Sequence, residues 1–481
     1  MRVILINPPR FNGIPVIRED RCEITERYSV ILPYSLLQIA AVLRKDGYYV
    51  ELIDANGFNL SYDYIFEYLK RKRSNAIIFR FTPTTFDNDI KVAEIAKKVN
   101  PNAYTIGICW TLKDFAEQVL REAKYMDFYV ARESEVVVPH LINALENKEE
   151  IKKVKGVAYI EKESGKYIYA GPPPTDWSWD NLLLPAFDLL PSLKPYHINT
   201  PHGKLFTIIY AAKGCPYGCI FCTVARTKWR PKSAERIIEE LTYLKKQFNV
   251  RLVSFFDETF TLDQERAEKI AEAIKSKGLK IRWYCNTHVD LVDYDLLKTM
   301  YEGGCRGTSY GIKSGSQKIL DLAKKGFTVE QAENAIRFAK KAGIKVFASF
   351  IFGLLGENWD TVRETISFVK RTLPHGAEFN IAVPYPGTEL YEIAVKKGWI
   401  VREYDWRKLY QHAAVMRTDE MTPEDLEKAR LLAYKSLYFN SMWILSNVIW
   451  LVRRPEDIPL GVKYYMKALK NYVVYRMTHA H

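Results

Sequence analysis

Short apolar runs alternate with amphipathic stretches along the first 150 residues of this chain, and this alternation limits its fold more than any other feature. Strands that alternate with helices are joined by crossovers, which give a parallel sheet covered by helices. The sequence therefore predicts a doubly wound α/β domain over residues 1–150, whose ligands bind beyond the carboxyl ends of the strands. The predicted strands are 2–7, 48–55, 76–81, 103–109 and 127–132, and the predicted helices are 33–47, 87–100 and 112–124.

A second alternation begins near residue 205 and predicts a partial or full (β/α) barrel of TIM type over residues 205–400, with its active site at the carboxyl ends of the strands. Residues 151–204 read as a hairpin at 154–171 and a linker rich in proline and tryptophan, and residues 401–481 as an α-helical C-terminal segment. The predicted barrel strands are 205–214, 251–259, 280–290, 307–315, 345–354 and 377–387, and the predicted helices are 232–247, 262–277, 292–303, 329–342 and 358–372.

The composition of the chain limits the kinds of partner that it is expected to bind. The net charge of +13 and the pI of about 9.1 suit an anionic partner, but the basic residues are spread along the chain, so they indicate a solvated, thermophile-like surface of an archaeal kind and no nucleic acid is expected. The N-terminus reads as a buried strand and not as a secretory signal, which predicts a cytoplasmic protein. Seven cysteines, an odd number, favour metal or redox use over a disulfide framework.

Three of the seven cysteines, Cys215, Cys219 and Cys222, lie within eight residues directly after the first predicted barrel strand. Three thiolates on one short loop can hold three irons of a [4Fe–4S] cluster and leave the fourth iron open to a ligand. A zinc site would need a fourth ligand from a second cysteine pair, which the sequence lacks. Cys285 and Cys305 stand alone in apolar contexts and are predicted to be core residues.

The loop sequence GCPYGCIFC resembles the cluster loop of radical S-adenosylmethionine (SAM) enzymes. The resemblance implies that the fourth iron binds the amino and carboxylate groups of SAM, which is cleaved reductively to a 5′-deoxyadenosyl radical. Further motifs extend the resemblance to the cobalamin-binding radical SAM family, and specifically to its class B methyltransferases. These motifs are LLPAFDLLP at 183–191, DETF at 257–260, GIKSGSQ at 311–317, KKG at 324–326, FIFGLLGE at 350–357 and PYPGTELY at 384–391.

The resemblance assigns the catalytic cluster ligands to Cys215, Cys219 and Cys222 and the SAM contacts to Phe221, Asp257, Glu258, His288, Lys313 and Ser314. For the acidic pair 257–258, a solvated helix cap is an equal alternative. Two positions depart from the family pattern, since Lys313 replaces a glutamate and His288 replaces an arginine. Lys313 either forms a salt bridge to the SAM carboxylate or lies outside the SAM site.

The resemblance also makes the first domain a Rossmann-like cobalamin-binding domain, yet its first histidine is His140 and no Asp-x-His-x-x-Gly motif is present. Cobalt is therefore not expected to receive a histidine from its strand-end loops. Without the resemblance, this sheet could equally hold a flavin or a nucleotide, although it has no Gly-x-Gly-x-x-Gly fingerprint. The predicted cobalamin contacts are Asn7 and Pro8 as a wall, Thr82, Thr84 and Thr85 to the corrin amides or nucleotide tail, Trp110, Thr111 and Leu112 under the corrin, and Glu133. For Trp110, a place in the apolar core is an equal alternative.

These features predict an enzyme that transfers a methyl group from methylcobalamin to an unactivated sp3 carbon, with a low-potential donor such as ferredoxin or flavodoxin. The substrate is predicted to be a protein side chain, for example in methyl-coenzyme M reductase; a small molecule or lipid is the alternative. Ring formation or lipid modification without methyl transfer is a second reading, and a non-enzymatic iron–sulfur protein a third. The residues predicted to line the substrate cavity are Tyr210, Tyr310, Asn380 and Tyr385, with core packing as the alternative for each.

The apolar stretch 438–452 has fifteen residues, short of the roughly twenty that cross a bilayer. It is predicted either to contact a membrane surface or, preferably, to pack against the protein.

Overall fold

The computed structural model describes residues 1–19, 29–198, 205–401, 404–409 and 413–452. Its first sheet has seven strands in the order β2-β1-β3-β4-β5-β6-β7, of which the first five are parallel. The strands are β1 Arg2–Asn7, β2 Tyr49–Asp54, β3 Ala76–Arg80, β4 Tyr104–Ile108, β5 Phe128–Val130, β6 Val157–Ile160 and β7 Tyr167–Tyr169. The helices around it are α1 Tyr34–Lys45, α2 Ala55–Phe58, α3 Tyr62–Lys72, α4 Phe86–Asp89, α5 Lys91–Val99, α6 Ala116–Glu122 and α7 Ser134–Glu146.

This order confirms the doubly wound fold and places the change of winding direction between β1 and β3. The hairpin predicted at 154–171 is present as β6 and β7, but it joins the first sheet as two antiparallel strands and so belongs to that layer. Hydrophobic clusters fill both faces, with Ile4, Ile6 and Phe79 on one side and Val3, Leu5 and Ile78 on the other. Alternate residues of a strand point to opposite faces, which explains the continuous apolar runs.

The second sheet has six parallel strands in the order β15-β14-β13-β12-β11-β8 and is an open, partial barrel. Its strands, with a two-residue pair β9 and β10 that follows β8, are β8 Phe206–Ile209, β9 Ala212–Lys213, β10 Arg230–Pro231, β11 Leu252–Phe255, β12 Arg282–Thr287, β13 Cys305–Lys313, β14 Lys345–Phe352 and β15 Gly376–Ile381. The helices are α8 Ala234–Phe248, α9 Gln264–Ser276, α10 Tyr294–Glu302, α11 Gln317–Leu322, α12 Val329–Ala342, α13 Trp359–Thr372, α14 Glu389–Lys396, α15 Pro423–Tyr438 and α16 Ser441–Val452.

Side chains of α15 bind the outer edge of β15, where a complete barrel would have another strand. The backbone N–H of Ala377 donates to the Tyr438 hydroxyl at 3.1 Å, which in turn donates to the Ala377 carbonyl at 2.9 Å. The N–H of Phe379 donates to the Tyr434 hydroxyl at 3.3 Å, and Arg430 Nε donates to the Phe379 carbonyl at 2.8 Å. The helix thereby satisfies backbone groups that an edge strand leaves unpaired.

A buried polar triad joins the two domains. Tyr34 of α1 donates its hydroxyl hydrogen to Glu240 of α8 at 2.8 Å, and the Lys232 ammonium donates to the Tyr34 hydroxyl and to Glu240, each at 2.6 Å. The side chains of Lys232 and Glu240 are 2% and 0% exposed. Because every member of the triad has a partner, the charges can be buried without an orphan group.

Helix α16 packs one face against the second domain, where Trp443 Nε1 donates to the Pro374 carbonyl at 2.8 Å. Its opposite face exposes apolar side chains, including Met442 at 60%, Leu445 at 52% and Val452 at 73%. Within the described part of the chain, no helix has both the length and the apolar character that a membrane span requires. The end of the predicted C-terminal segment, residues 453–481, lies outside the described residues.

Candidate active site

The cysteine loop is closed at its base by the antiparallel pair β9–β10, in which Lys213 pairs with Arg230. Gly214 begins the loop at φ +90°, and a Cβ there would lie 2.1 Å from the Lys228 carbonyl oxygen, so only glycine fits. The N–H of Cys215 donates to Thr227 Oγ1 at 3.0 Å, and the Thr227 N–H donates back to the Cys215 carbonyl at 3.0 Å. The loop thus has a fixed base and presents its cysteines at the carboxyl end of β8.

The three thiols lie close enough to influence one another's charge, and they are largely shielded from water. Burial raises the pKa of the Cys215 thiol and raises that of Cys222 to about 11. Thiolates are needed to bind iron, so metal binding at this loop would release protons. No three Cys, His, Asp or Glu side chains of the described residues are placed to hold one metal ion. A [4Fe–4S] cube spaces its thiolates more widely than a single ion does, and this donor set fits that cluster.

The other residues predicted to contact SAM fall into two groups. Asp257 is 1% exposed and accepts from the Ala211 N–H at 2.7 Å, and burial raises its pKa to about 6, so it ties β11 to β8 from within the core. Ser314 is also 1% exposed, and its hydroxyl lies 3.1 Å from Thr365 of α13, on the helix side of the sheet. Glu258, by contrast, lines a cleft beside the cysteine loop, together with Gly214.

His288 and Phe221 lie against the cysteine loop. The His288 ring stacks on Tyr217, with centroids 4.1 Å apart, and its Nδ1 is hydrogen bonded to Asp290. Burial lowers the pKa of His288, and its Nε2 is buried without a partner in the described chain. Phe221 is partly buried and packs against an apolar cluster that includes Leu354. Tyr217 was not predicted, although an aromatic residue between two cluster cysteines was a visible signal.

Lys313 ends β13 beside the cysteine loop, with its ammonium donating to Ser349 Oγ of β14 at 2.9 Å. Burial, and then the charge of Lys325, lowers the pKa of Lys313 to about 8. The thiols of Cys219 and Cys222 act on it in the opposite direction. A lysine at this position therefore brings a positive charge close to the predicted cluster.

The first domain reaches the cysteine loop through Trp110, which follows β4. Its indole Nε1 donates to the Thr223 carbonyl at 3.3 Å, directly after the last cysteine, and the Arg132 guanidinium lies 4.5 Å from its ring centre. A cleft lies at this contact. It is lined by the strand ends of the first sheet, including Trp110 and Glu133, and by Val224 of the cysteine loop. A group bound at the first sheet would here face the cluster, which fits a cofactor shared by both domains.

Several residues that were predicted to contact cobalamin take part in a buried network around Arg18 and Asp89, which the sequence did not predict. The two form an ion pair at 2.6 Å, with side chains 2% and 0% exposed. Arg18 also donates to the carbonyl of Pro8 at 2.9 Å and to Asn7 Oδ1 at 3.3 Å. Thr85 Oγ1 donates to Asp89 at 2.7 Å, and the hydroxyl groups of Thr82 and Thr85 are hydrogen bonded to each other at 2.9 Å. These polar groups are hydrogen bonded to one another within the protein.

The remaining predicted contacts of this domain are placed differently from one another. Leu112 is fully buried in the apolar core, and Thr84 and Thr111 are 5% and 4% exposed. Glu133 lies in the cleft, where it accepts from Arg230 at 2.9 Å and from the Trp177 indole at 3.0 Å. Of the nine predicted contacts, Trp110 and Glu133 are therefore those that the cleft brings to the cysteine loop.

The four residues predicted to line the substrate cavity lie in different parts of the structure. Tyr310 is fully buried on the helix side of β13, because it shares a strand face with Thr308, whose hydroxyl lies 4.0 Å from Cys285 in the outer core. It therefore does not line the barrel interior. Tyr210 is 2% exposed and its hydroxyl donates to the Glu19 carbonyl at 3.4 Å.

Asn380 instead points into the barrel, on the same face of β15 as Glu378, which pairs in register with Ser349. Its Oδ1 is buried and has no partner among the described residues. Tyr385 is partly buried against the apolar core of the first domain.

A model of the Radical SAM superfamily matches residues 209–369. The uncharacterized methyltransferase PH0819 of Pyrococcus horikoshii is 32% identical over 451 residues, which cover 93% of this chain and 95% of that protein. An anaerobic magnesium-protoporphyrin IX monomethyl ester cyclase of Rubrivivax gelatinosus is 27% identical over 92% of this chain and 78% of its own length.

Among solved structures, the radical SAM methyltransferase TsrM of Kitasatospora setae, with cobalamin and a [4Fe–4S] cluster bound, matches with a TM-score of 0.70 at 15% identity. The match covers 91% of this chain and 89% of TsrM, so the two proteins share a fold over both sheets. The full-length relationship to a methyltransferase shows the family more directly than the fold does. We conclude that this chain belongs to the same family as the methyltransferase PH0819 and contains a radical SAM domain.

Proposed function

We propose that this protein transfers a methyl group from a cobalamin at the first sheet to an unactivated sp3 carbon of its substrate. The cluster with SAM supplies the radical that removes a hydrogen atom, and the cobalamin supplies the methyl group; that chemistry belongs to the cofactors. Cys215, Cys219 and Cys222 would hold the cluster. Trp110 and Glu133 would border the corrin, and the closed loop base keeps the two cofactor positions in a fixed relation.

One observation carries this proposal: the Trp110 indole donates to the Thr223 carbonyl at 3.3 Å, next to the last cluster cysteine. Methyl transfer to a carbon radical requires that the radical source and the methyl donor face one cavity. The loop after β4 and the cysteine loop share such a cleft, with Glu258 of the second domain on its wall. The geometry therefore supports a reaction that uses both domains at once.

The test is an anaerobic assay of cluster-reconstituted protein with SAM, a low-potential reductant and hydroxocobalamin, read by mass spectrometry. Formation of both 5′-deoxyadenosine and S-adenosylhomocysteine, with methylation of the cobalamin, is the expected result. Cys219→Ala should abolish 5′-deoxyadenosine, whereas Cys285→Ala, which removes a thiol outside the loop, should retain it. If 5′-deoxyadenosine forms while bound cobalamin is never methylated, the methyl-transfer proposal fails.

We propose that the substrate is a protein side chain. The walls of the cleft support a polar substrate over a hydrocarbon, because ion pairs line them: Lys213 with Glu135 at 2.5 Å and Arg230 with Glu133 at 2.9 Å. A long lipid chain would need an apolar tunnel instead. Incubation of the holoenzyme with trideuteromethyl-SAM and an anaerobic cell extract tests this point. Label in the protein fraction supports it, and label confined to small molecules contradicts it.

A second candidate function is ring formation without methyl transfer, which the identity to the magnesium-protoporphyrin IX monomethyl ester cyclase favours. The two reactions differ in product mass, since methylation adds about 14 Da and oxidative ring closure removes hydrogen. A substrate that loses mass in the assay while S-adenosylhomocysteine is absent would establish the cyclase reading.

A low-potential electron donor such as ferredoxin or flavodoxin is proposed for the reductive step. Membrane contact through 438–452 also stays a proposal, supported by the exposed face of α16 with Met442, Leu445 and Val452. Flotation with anionic vesicles tests the contact, and a Met442→Glu/Leu445→Glu variant should lose flotation if it is real. Equal recovery of both proteins with the vesicles would contradict this role of the helix.

A further inference from the structure

Two lysines meet at the mouth of the open barrel without a carboxylate that neutralises them. Lys313 ends β13, and its only hydrogen-bond partner in the described chain is the Ser349 hydroxyl at 2.9 Å. Lys325 follows α11 and is 5% exposed, yet its ammonium makes no hydrogen bond or ion pair among the described residues and lies 5.2 Å from the Phe327 ring centre. The charge of Lys325 acts against that of Lys313, and an anion between the two ammonium groups would remove this repulsion.

The backbone of Lys313 is held in a conformation that directs its side chain into the barrel. Its φ is +78°, a left-handed value that is unfavourable for lysine, and the pairing of β13 with β14 is irregular between Tyr310 and Lys313. The side chain folds back over Gly311, where an added Cβ would lie 3.1 Å from Lys313 Cε. The strand irregularity and the glycine together make room for an inward-facing ammonium.

Other groups at the mouth can complete an anion site. The imidazole of His288 presents a buried Nε2 without a partner in the described chain, and the charge of Lys325 acts on this ring as well as on Lys313. The charges that oppose the two ammonium groups are Glu378, which is exposed on β15, and the cysteine thiols of the cluster loop. None of these forms an ion pair with Lys313 or Lys325.

We propose that Lys313 and Lys325 bind a carboxylate or phosphoryl group of the substrate beside the cluster. The inference rests on the proposed function and deepens it by naming the substrate class as anionic. Two ammonium groups suit a small, multivalent anion, and each offers several hydrogen-bond donors. The SAM carboxylate has the same chemistry, so the experiment must separate the two sources.

The experiment titrates methylphosphonate and inorganic pyrophosphate into cluster-reconstituted, SAM-saturated full-length protein by calorimetry. Lys313→Met and Lys325→Met should each weaken binding of these probes about 10- to 100-fold, the loss expected for a hydrogen bond between charged groups. SAM affinity, titrated separately, should stay within about threefold. Lys324→Met is the matched control, since this neighbouring lysine pairs on the surface with Glu389 and should change neither value.

Gly311→Ala provides a second variant that displaces the Lys313 ammonium without removing its charge, and it should weaken probe binding in the same direction. Iron content and the midpoint of thermal unfolding identify any variant that fails to fold. A loss of SAM affinity in Lys313→Met, with no probe binding to the original protein, would assign the site to SAM and overturn the proposal. Unchanged probe binding in both lysine variants would also overturn it. Because this experiment measures binding without turnover, its outcome does not depend on whether the protein transfers a methyl group.

Discussion

Replacing Tyr34 by phenylalanine tests the buried triad that joins the two domains. The substitution keeps the ring, whose centroid lies 5.3 Å from that of Tyr210, and removes only the hydroxyl. Glu240 then loses the donor that lies 2.8 Å from one carboxylate oxygen, and Lys232 loses an acceptor at 2.6 Å. No cavity larger than one oxygen atom forms, so the cost is almost entirely polar.

The expected cost follows from what remains of the triad. Lys232 still pairs with Glu240 at 2.6 Å, so neither charge is left unpaired, but each has lost one hydrogen bond in a buried site. A buried hydrogen bond to a charged group is worth roughly 1.5–3 kcal/mol, so Tyr34→Phe should lower the free energy of unfolding by about 2–4 kcal/mol. Tyr129→Phe is the matched control, because its buried hydroxyl donates to the neutral Cys109 carbonyl at 2.5 Å and should cost about 1 kcal/mol.

Urea unfolding monitored by tryptophan fluorescence and by far-UV circular dichroism measures both variants. Trp179 reports on the triad directly, because its ring centre lies 5.2 Å from the Lys232 ammonium. If Tyr34→Phe costs no more than Tyr129→Phe, the triad does not stabilise the domain contact and the reasoning is refuted. A double variant with Lys232→Met should cost less than the sum of the two single changes, as expected for coupled partners.

Three further substitutions test other parts of the molecule. Gly214→Ala should abolish cluster incorporation, measured as iron content, because its Cβ would lie 2.1 Å from the Lys228 carbonyl oxygen; retained iron would show that the loop tolerates the change. Burial raises the pKa of Glu357 to about 7 from 4.5, so the folded state holds a proton that the unfolded state releases, and stability falls as pH rises from about 4.5 to 7. Glu357→Gln should remove up to about 3 kcal/mol of that decline in unfolding measured against pH, and an unchanged slope would contradict the assignment. Trp110→Phe removes the hydrogen bond to Thr223 and should lower the yield of S-adenosylhomocysteine about 3- to 10-fold with 5′-deoxyadenosine retained; equal losses of both products would place its role elsewhere.

Much of the fold could be predicted from the sequence, because apolar periodicity records which faces are buried. All six strands of the second sheet fall inside the predicted runs or within two residues of them, as β14 at Lys345–Phe352 does for 345–354. Helix α7, Ser134–Glu146, was not predicted, and Pro139 inside it is a residue that ordinarily ends a helix. The place of the hairpin β6–β7 in the first sheet was missed because strand partners are long-range contacts that local patterns do not encode.

The site was predictable only where chemistry is local. Three cysteines on one loop are visible in sequence, whereas Arg18 and Asp89 are 71 residues apart and nothing in either segment indicates their pairing. That pairing decides how the polar groups of Asn7, Thr82 and Thr85 are used. The orientation of Tyr310 could have been predicted from the sequence. Tyr310 lies two residues before the apolar Ile312 on β13, and residues two apart on a strand point to the same face, which here is the face covered by helices.

The replacement of a strand by helix α15 has a consequence for synthesis of the protein. Until Arg430, Tyr434 and Tyr438 have left the ribosome, the outer backbone of β15 has no partner among the segments already made. Translation at ~5–20 residues per second leaves this edge open for several seconds after β15 emerges. Nascent chains are then exposed to pairing with strands of other chains, and a stop codon just before residue 423 would make that interval permanent. Ribosome-bound chaperones are therefore expected to matter most for this protein late in its translation.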